Sequence, residues 1–403
     1  MPEQVVKQRS RGFICINAHP EGCARNVERQ VQAIRGDGAG QAAGPRNALV
    51  IGSSTGYGLS SRVALAWGFG AKTVGVFFER PPEDRKTASA GYYNTTAFER
   101  LAKKDGIYAA HVNGDAFSDD IKRQTIDRLR RDTGPVDLVI YSLASPRRTH
   151  PQTGEVFNSV LKPIGASYTG KTVDFGSGKV SEVTVDPAAE EEIAATVAVM
   201  GGEDWKMWID LLLAEGLLAE GARTLAYSYI GPELTWAIYR DGTIGAAKND
   251  LAQTARHLNE TLQSKMGGNA WVSVNKGVVT QASAAIPVVP LYMSLLFRVM
   301  KEKGTHEGCI EQMRRLAFDY LAAGATGRRD ENDLIRLDDL EMRDDVQSAV
   351  RELWPQVTTE NLDGLSDIAG FRRDFNQLFG FDVEGVDYEA PVETDVRLGS
   401  TGT

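Results

Sequence analysis

Tyr239 and Lys248 stand nine residues apart in the segment YRDGTIGAAKND. A phenol with an ordinary pKa of ~10 keeps its proton at neutral pH and can deliver it to a developing anion. An ammonium close by favours the phenolate left behind, so the pair suits proton transfer coupled to a redox step. On a straight helix their spacing turns through about 900°, which puts the two side chains on opposite faces. One helix therefore cannot present both. Asp241-Gly242 breaks the segment, so Tyr239 is expected on a loop and Lys248 in the following helix, with Thr243 at its N-cap. Gly245, Ala246 and Ala247 are small, as close backbone approach requires. Taken alone, the pattern is also met by a surface lysine and a core tyrosine. Tyr229, ten residues upstream, is a candidate to touch the same substrate oxygen, and its neighbour Tyr227 competes for that role.

A redox partner is suggested upstream, in NALVIGSSTGYGLSSRVALAWGFGAKTVGVFFE, residues 47–79. The order is strand, glycine turn, helix, strand, acid. Gly52 permits a sharp turn off the strand. Gly56 lets backbone approach a pyrophosphate, and Gly58 lets the helix pack close to the strand. The helix N-terminus offers N–H donors and a positive dipole end. Ser53, Ser54 and Thr55 add hydroxyls. Glu79, 21 residues after Gly58, is placed to bind ribose hydroxyls and repel a ribose phosphate, which favours NADH over NADPH. The spacing is G-x3-G-x-G rather than G-x-G-x-x-G, and the alternative is an ordinary Gly-rich turn.

Alternating strand and helix signals predict a doubly wound, Rossmann-type parallel sheet. Strands are expected at 48–51, 73–78, 107–112, 136–141, 224–229 and 271–274. Asp115 then meets the adenine edge, or is only a turn residue in Asn113-Gly114-Asp115. Leu143 and Ala144 lie beside the cofactor. Lys276-Gly277 follows the sixth strand where short-chain reductases often have Pro-Gly; that resemblance implies that main-chain atoms of Gly277, Val278 and Val279 hold a carboxamide, and the alternative is a plain strand-to-loop exit. One elaborated domain is expected: an N-terminal flap (1–46), the first half of the core (47–150), a hairpin and helical insertion (151–222), the second half with the Tyr/Lys pair (223–320) and a C-terminal helical extension (321–403). A helix is expected from Glu203 to Ala219, and an apolar one from Pro287 to Lys303, whose residues from Pro287 to Phe297 could wall a tunnel.

Composition limits the alternatives. With 403 residues, 42% hydrophobic and 25% charged, the chain can bury a real core. A net charge of −9 argues against general nucleic-acid binding. Cys15, Cys23 and Cys309 include no C-x-x-C pair, which fits a reducing compartment and no zinc or disulfide framework. His306 and Cys309 lack further metal ligands. The N-terminus has no apolar leader core, and no window approaches the ~20 apolar residues of a membrane span, so a cytoplasmic protein without stable membrane insertion is expected.

The chain resembles the large monomeric NADH-dependent trans-2-enoyl reductases, the FabV-type enoyl-acyl carrier protein and enoyl-CoA reductases. The segments GSSTGYGLSSR, FFERP, NGDAFS, IYSLASPRRTHP, YSYIGPELT, the Y-x8-K pair and VVTQASAAIPVVPLYMSLLF carry that resemblance over nearly the whole length. It implies reduction of the double bond of a trans-2-enoyl thioester, the last step of fatty-acid elongation. It implies that Gly52, Ser53, Ser54, Thr55, Gly56, Tyr57, Phe78, Glu79, Asp115, Ala116, Leu143, Ala144, Lys248, Gly277, Val278 and Val279 hold NADH. Tyr239 matches the proton donor and Tyr229 a substrate-contacting position. Asn249 departs from the pattern, since some members carry a second lysine there. Acyl carrier protein or coenzyme A would be the acidic carrier, with Arg147, Arg148, Lys301, Lys303, Arg314 and Arg315 as candidate contacts. Two alternatives stay open: a carbonyl reductase, and an NAD-binding module without turnover.

Overall fold

The computed structural model describes residues 3–11, 14–36, 43–84, 86–284 and 286–399, so parts of the expected flap and the last four residues lie outside it. Asn47–Ile51 (β1), Lys72–Phe77 (β2), Ala109–Asn113 (β3), Val136–Tyr141 (β4), Leu218–Ser228 (β5), Asn269–Val274 (β6) and Leu334–Arg336 (β7) form one sheet. Its order is β7-β6-β5-β4-β1-β2-β3, and every pairing is parallel. The order reverses between β1 and β4, which places a ligand crevice at their carboxyl ends.

Side chains alternate across each strand and sort into two cores. Ala48, Val50, Leu138 and Ile140 pack with Pro20–Arg35 (α1), Gly56–Phe69 (α2) and Ala90–Lys104 (α3). Leu49, Ile51, Val139 and Tyr141 face Asp119–Asp132 (α4), Glu203–Ala214 (α6) and Thr243–Met266 (α7) on the other side. Between these elements lies Glu190–Met200 (α5), which packs on α7. A third apolar cluster gathers the helix Val289–Glu302, the C-terminal helices and Tyr239. The expected hairpin is present as Tyr168–Asp174 paired antiparallel with Lys179–Val185.

Three expectations are corrected. The helix from Glu203 does not reach Ala219: α6 stops at Ala214 and β5 begins at Leu218. Gly216 at φ 63° turns the chain out of the helix, and the β5–β4 register shifts between Leu218 and Arg223. The C-terminal extension is not purely helical, because β7 adds a strand beside β6. Helix α7 is capped by Gly242, not Thr243; the Thr243 hydroxyl instead donates to the Val160 carbonyl at 2.5 Å. The two ends of the chain meet, with Gln4 N–H bonded to Val392 O at 3.0 Å and Val392 N–H to Gln4 O at 2.9 Å.

Candidate active site

The glycine turn between β1 and α2 leaves open space at the start of the helix. Gly52 adopts φ 85°, and a Cβ there would lie 2.2 Å from the Ser142 carbonyl oxygen. A Cβ on Gly58 would lie 1.8 Å from the Gly52 oxygen, so helix and turn touch. At Gly56 (φ 53°) a Cβ would meet nothing within 4 Å, which leaves open space over the first turn. Thr55 makes no side-chain cap to α2, so the helix N-terminus keeps free donors for an anion. The Ser53 hydroxyl donates to Val76 O at 3.2 Å and the Ser54 hydroxyl to Glu79 Oε1 at 2.7 Å. Of the three hydroxyls, that of Thr55 is left for a phosphate.

Glu79 is held from several sides. Asn113 Oδ1 accepts the Glu79 N–H, and Asn113 Nδ2 donates to the Glu79 carbonyl. Burial pushes the carboxyl above its ordinary range, while Ser89 and Ser54 pull it back. A Cβ on Gly91 would lie 2.0 Å from Glu79 Oε1, so α3 seats the carboxylate closely. Phe78 is 76% exposed beside it, a flat apolar surface suited to a purine ring. Asp115 accepts the Phe117 N–H at 3.0 Å, which is turn geometry, and leaves its other oxygen for a ligand. Leu143 is partly exposed and Ala144 exposed past the end of β4. Below the buried Ala116, Lys122 donates to Ala116 O (3.1 Å), Phe117 O (2.9 Å) and Asp204 Oδ1 (2.7 Å).

Tyr239 and Lys248 meet the same strand end. Lys248 Nζ donates to the Tyr227 carbonyl at 2.9 Å, and burial lowers its pKa to about 8. The rings of Tyr239 and Tyr229 pack edge-to-face, 4.8 Å between centroids. Tyr239 lies on the loop and Lys248 within α7, as the spacing requires. Gly245 allows this: a Cβ there would lie 1.9 Å from the Arg240 carbonyl oxygen. The two phenols differ in one respect. The Tyr229 hydroxyl donates to Glu341 Oε1 at 2.9 Å, whereas that of Tyr239 has no hydrogen-bond partner among the described residues. Burial holds the Tyr239 phenol well above its usual range, and the Glu341 charge adds to the effect. Tyr227 turns away to bond Ser61 Oγ at 2.6 Å.

Several residues escaped the sequence reading. Glu341, fully buried, accepts from Tyr229, from Tyr292 at 2.7 Å and from the Gly277 N–H at 2.7 Å. Lys276, 1% exposed, donates to Gly277 O at 2.8 Å. Both main-chain groups of Gly277 are thus taken, and the Val278 carbonyl accepts from Ser283 Oγ at 3.0 Å, which leaves the Val278 N–H and the main chain of Val279 for a carboxamide. Tyr57 donates to Lys276 O at 2.7 Å and accepts from Gln312 Nε2 at 2.8 Å, tying the glycine turn to this loop. Arg148 is not a carrier contact: it is 1% exposed, bonded to Ala198 O and Glu203. Arg315 is spent on Glu307 and Asp339, and Lys303 pairs with Asp345. Lys301 pairs with Asp367, Arg314 lies over the Phe318 ring, and Arg147 is exposed. The apolar helix starts at Val289, and Val289 to Phe297 are all buried in the core rather than lining an open tunnel.

Comparison with known proteins decides the family. A model described as the trans-2-enoyl-CoA reductase catalytic region matches residues 86–321. The chain belongs to the trans-2-enoyl-CoA reductase family. The family's NAD(P)H binding domain matches residues 5–84. The enoyl-[acyl-carrier-protein] reductase [NADH] of Flavobacterium johnsoniae is 58% identical over 98% of this chain and 99% of its own. The trans-2-enoyl-CoA reductase [NADH] of Ruminiclostridium cellulolyticum is 55% identical, covering 98% and 99%. The crystal structure of Treponema denticola trans-2-enoyl-CoA reductase in complex with NAD superposes with a TM-score of 0.94 at 51% identity, covering 98% and 99%.

A third model, an enoyl reductase FAD binding domain, matches residues 329–392 of the reductase. The residues there do not fit a flavin dinucleotide. After β7 the chain runs Leu337-Asp338-Asp339-Leu340-Glu341 without a glycine turn. Val346, Val350, Phe371 and Phe375 of this segment are buried in the core. The nicotinamide cradle does fit, since the open space at Gly56 and the uncapped helix lie at the crevice where the strand order reverses.

Proposed function

We propose that this protein is an NADH-dependent enoyl thioester reductase in which Tyr239 is the proton donor. The observation that carries the reading is the contrast between two neighbouring phenols: Tyr229 has committed its proton to Glu341, and Tyr239 has not. Gly52 to Tyr57, Phe78, Glu79, Asp115, Ala116, Leu143, Ala144, Lys248, Val278 and Val279 would hold the cofactor, with Gly277 shaping the loop. Bound NADH supplies a hydride to the β-carbon of the trans-2-enoyl thioester. Tyr239 directs its hydroxyl at the thioester oxygen, where the negative charge gathers, and stabilises it there. It then yields the proton that completes the saturated acyl chain. Lys248, held on the Tyr227 carbonyl at the same strand end, would supply the positive charge that lowers the cost of the phenolate before solvent restores the proton. Tyr229 keeps the Tyr239 ring in place by its edge-to-face contact and forms part of the substrate wall.

The thioester is carried by acyl carrier protein or coenzyme A, and the reaction closes a cycle of fatty-acid elongation. We place the enzyme in the cytoplasm as a monomer; the sparse free cysteines support a reducing compartment. Among the described residues no helix is long and apolar enough to cross a membrane. The test is NADH oxidation with crotonyl-CoA, with acetoacetyl-CoA as the ketone control. Consumption with the ketone and none with the enoyl substrate overturns the reading.

Two further results are expected. Glu79→Ala removes the carboxylate facing the ribose and should reduce the preference for NADH over NADPH by roughly tenfold or more. Unchanged ratios of kcat/KM for the two cofactors would refute that role. The pH dependence follows from Lys248. Its pKa is lowered to about 8, so it is charged below that pH and neutral above it. In kcat/KM for NADH, which reports the free enzyme, activity should fall as pH rises through that value. Lys248→Arg stays charged, so the alkaline limb should vanish in that variant whatever its absolute rate.

A further inference from the structure

We propose that Glu341 is a positioning residue for the nicotinamide end of the cofactor site, holding the Gly277 backbone and the Tyr229 hydroxyl in one fixed arrangement. It comes from the segment after β7 that the flavin-domain model covers, yet its carboxylate points into the loop after β6. Oε2 accepts the Gly277 N–H at 2.7 Å, and Oε1 accepts from Tyr229 at 2.9 Å and Tyr292 at 2.7 Å. Gln347 Nε2 closes the ring by donating to the Glu341 carbonyl at 2.7 Å and to the Tyr292 hydroxyl at 3.2 Å. The side chain is fully buried. A buried carboxylate with three donors fixes the position of each more firmly than a neutral acceptor does.

Two consequences reach the cleft. With Lys276 on its carbonyl and Glu341 on its N–H, Gly277 is pinned at both polar groups, so the next two residues leave it in a set direction. A tyrosine hydroxyl has a single proton, so Tyr229 presents only acceptor lone pairs to the cleft. Glu341 thereby leaves Tyr239 as the donor of the pair.

The inference rests on the NADH reading above. The test uses the full chain and three measurements: the NADH dissociation constant by fluorescence titration, hydrogen exchange of the 275–280 amides, and the thermal unfolding midpoint. Glu341→Gln replaces one carboxylate oxygen by an NH2 group, which then faces a donor on either side, the Gly277 N–H or the two tyrosine hydroxyls. NADH should bind roughly tenfold more weakly, and the 275–280 amides should exchange faster. Tyr292→Phe removes a partner that does not border the cleft, and should leave NADH affinity within about twofold. A purely structural role would lower the unfolding midpoint of Glu341→Gln and leave its NADH affinity unchanged, which would overturn the proposal. If Glu341→Gln does not fold, Glu341→Asp keeps the charge on a shorter arm and should weaken NADH by about threefold or more; wild-type affinity in that variant would overturn the proposal. Failure of the wild-type protein to bind NADH would instead sink the function reading.

Discussion

Tyr239→Phe should lose roughly 10²- to 10⁴-fold in kcat with an enoyl thioester, the range that positioned proton donors contribute. NADH affinity should stay within about twofold, because the change removes one oxygen and no cofactor contact. The phenyl ring keeps the edge-to-face packing on Tyr229, so the loop holding it has no reason to move. The hydroxyl that is lost has no partner among the described residues, so no buried group is stranded. Steady-state rates with crotonyl-CoA and a fluorescence titration of NADH separate the two effects. A variant that keeps more than a tenth of the wild-type rate would remove Tyr239 from the chemistry. Tyr229→Phe is the control: its proton faces Glu341 and not the substrate, so its loss should fall well short of that seen at position 239.

Lys122→Met should cost about 3–5 kcal/mol of stability, the usual penalty for breaking a buried ion pair from one side. Asp204, 2% exposed, would keep among the described residues the Tyr141 hydroxyl, at 3.1 Å, as its side-chain hydrogen-bond partner. The carbonyls of Ala116 and Phe117 would lose their donor as well, and with it the fixed shape of the loop that carries Asp115. Urea unfolding measures the loss. Replacing both partners, Lys122→Met with Asp204→Leu, should recover a large part of it, since no charge is then stranded. A single variant as stable as the wild type would show that the pair contributes nothing.

The first half of the fold was legible because its strands are largely apolar and end at a polar or turn residue: Gly52 after β1, Glu79 just past β2, Asn113 at the end of β3 and Ser142 after β4. Val136–Tyr141 was read to the residue, and β1, β2 and β3 to within two residues at each end. The second half was less legible where competing signals overlap. Leu211 to Ala219 has the apolar spacing of a helix, and only the left-handed turn at Gly216 separates α6 from β5. Strand β7 has three residues, too few for a period to show. The Tyr/Lys placement followed from angular arithmetic alone. Glu341 could not be found that way: it lies in DDLEMRDD, where five acids look alike, and only packing against Tyr292 and Tyr229 sets one apart. Likewise Arg148 has the composition of a surface contact, and its burial against Glu203 depends on where the insertion folds back.

The placement of Glu341 and β7 has a temporal consequence. A ribosome emits the glycine turn, the tyrosine and the lysine long before it emits the carboxylate that pins Gly277 and the strand that borders β6. The nascent chain can form its early parallel pairs, but the edge of β6 stays unpaired and the Gly277 loop unpinned until residues 334–341 appear. A cleft with Gly277 pinned is therefore available only after residue 341 has been made, and the bridge between Gln4 and Val392 only after residue 392.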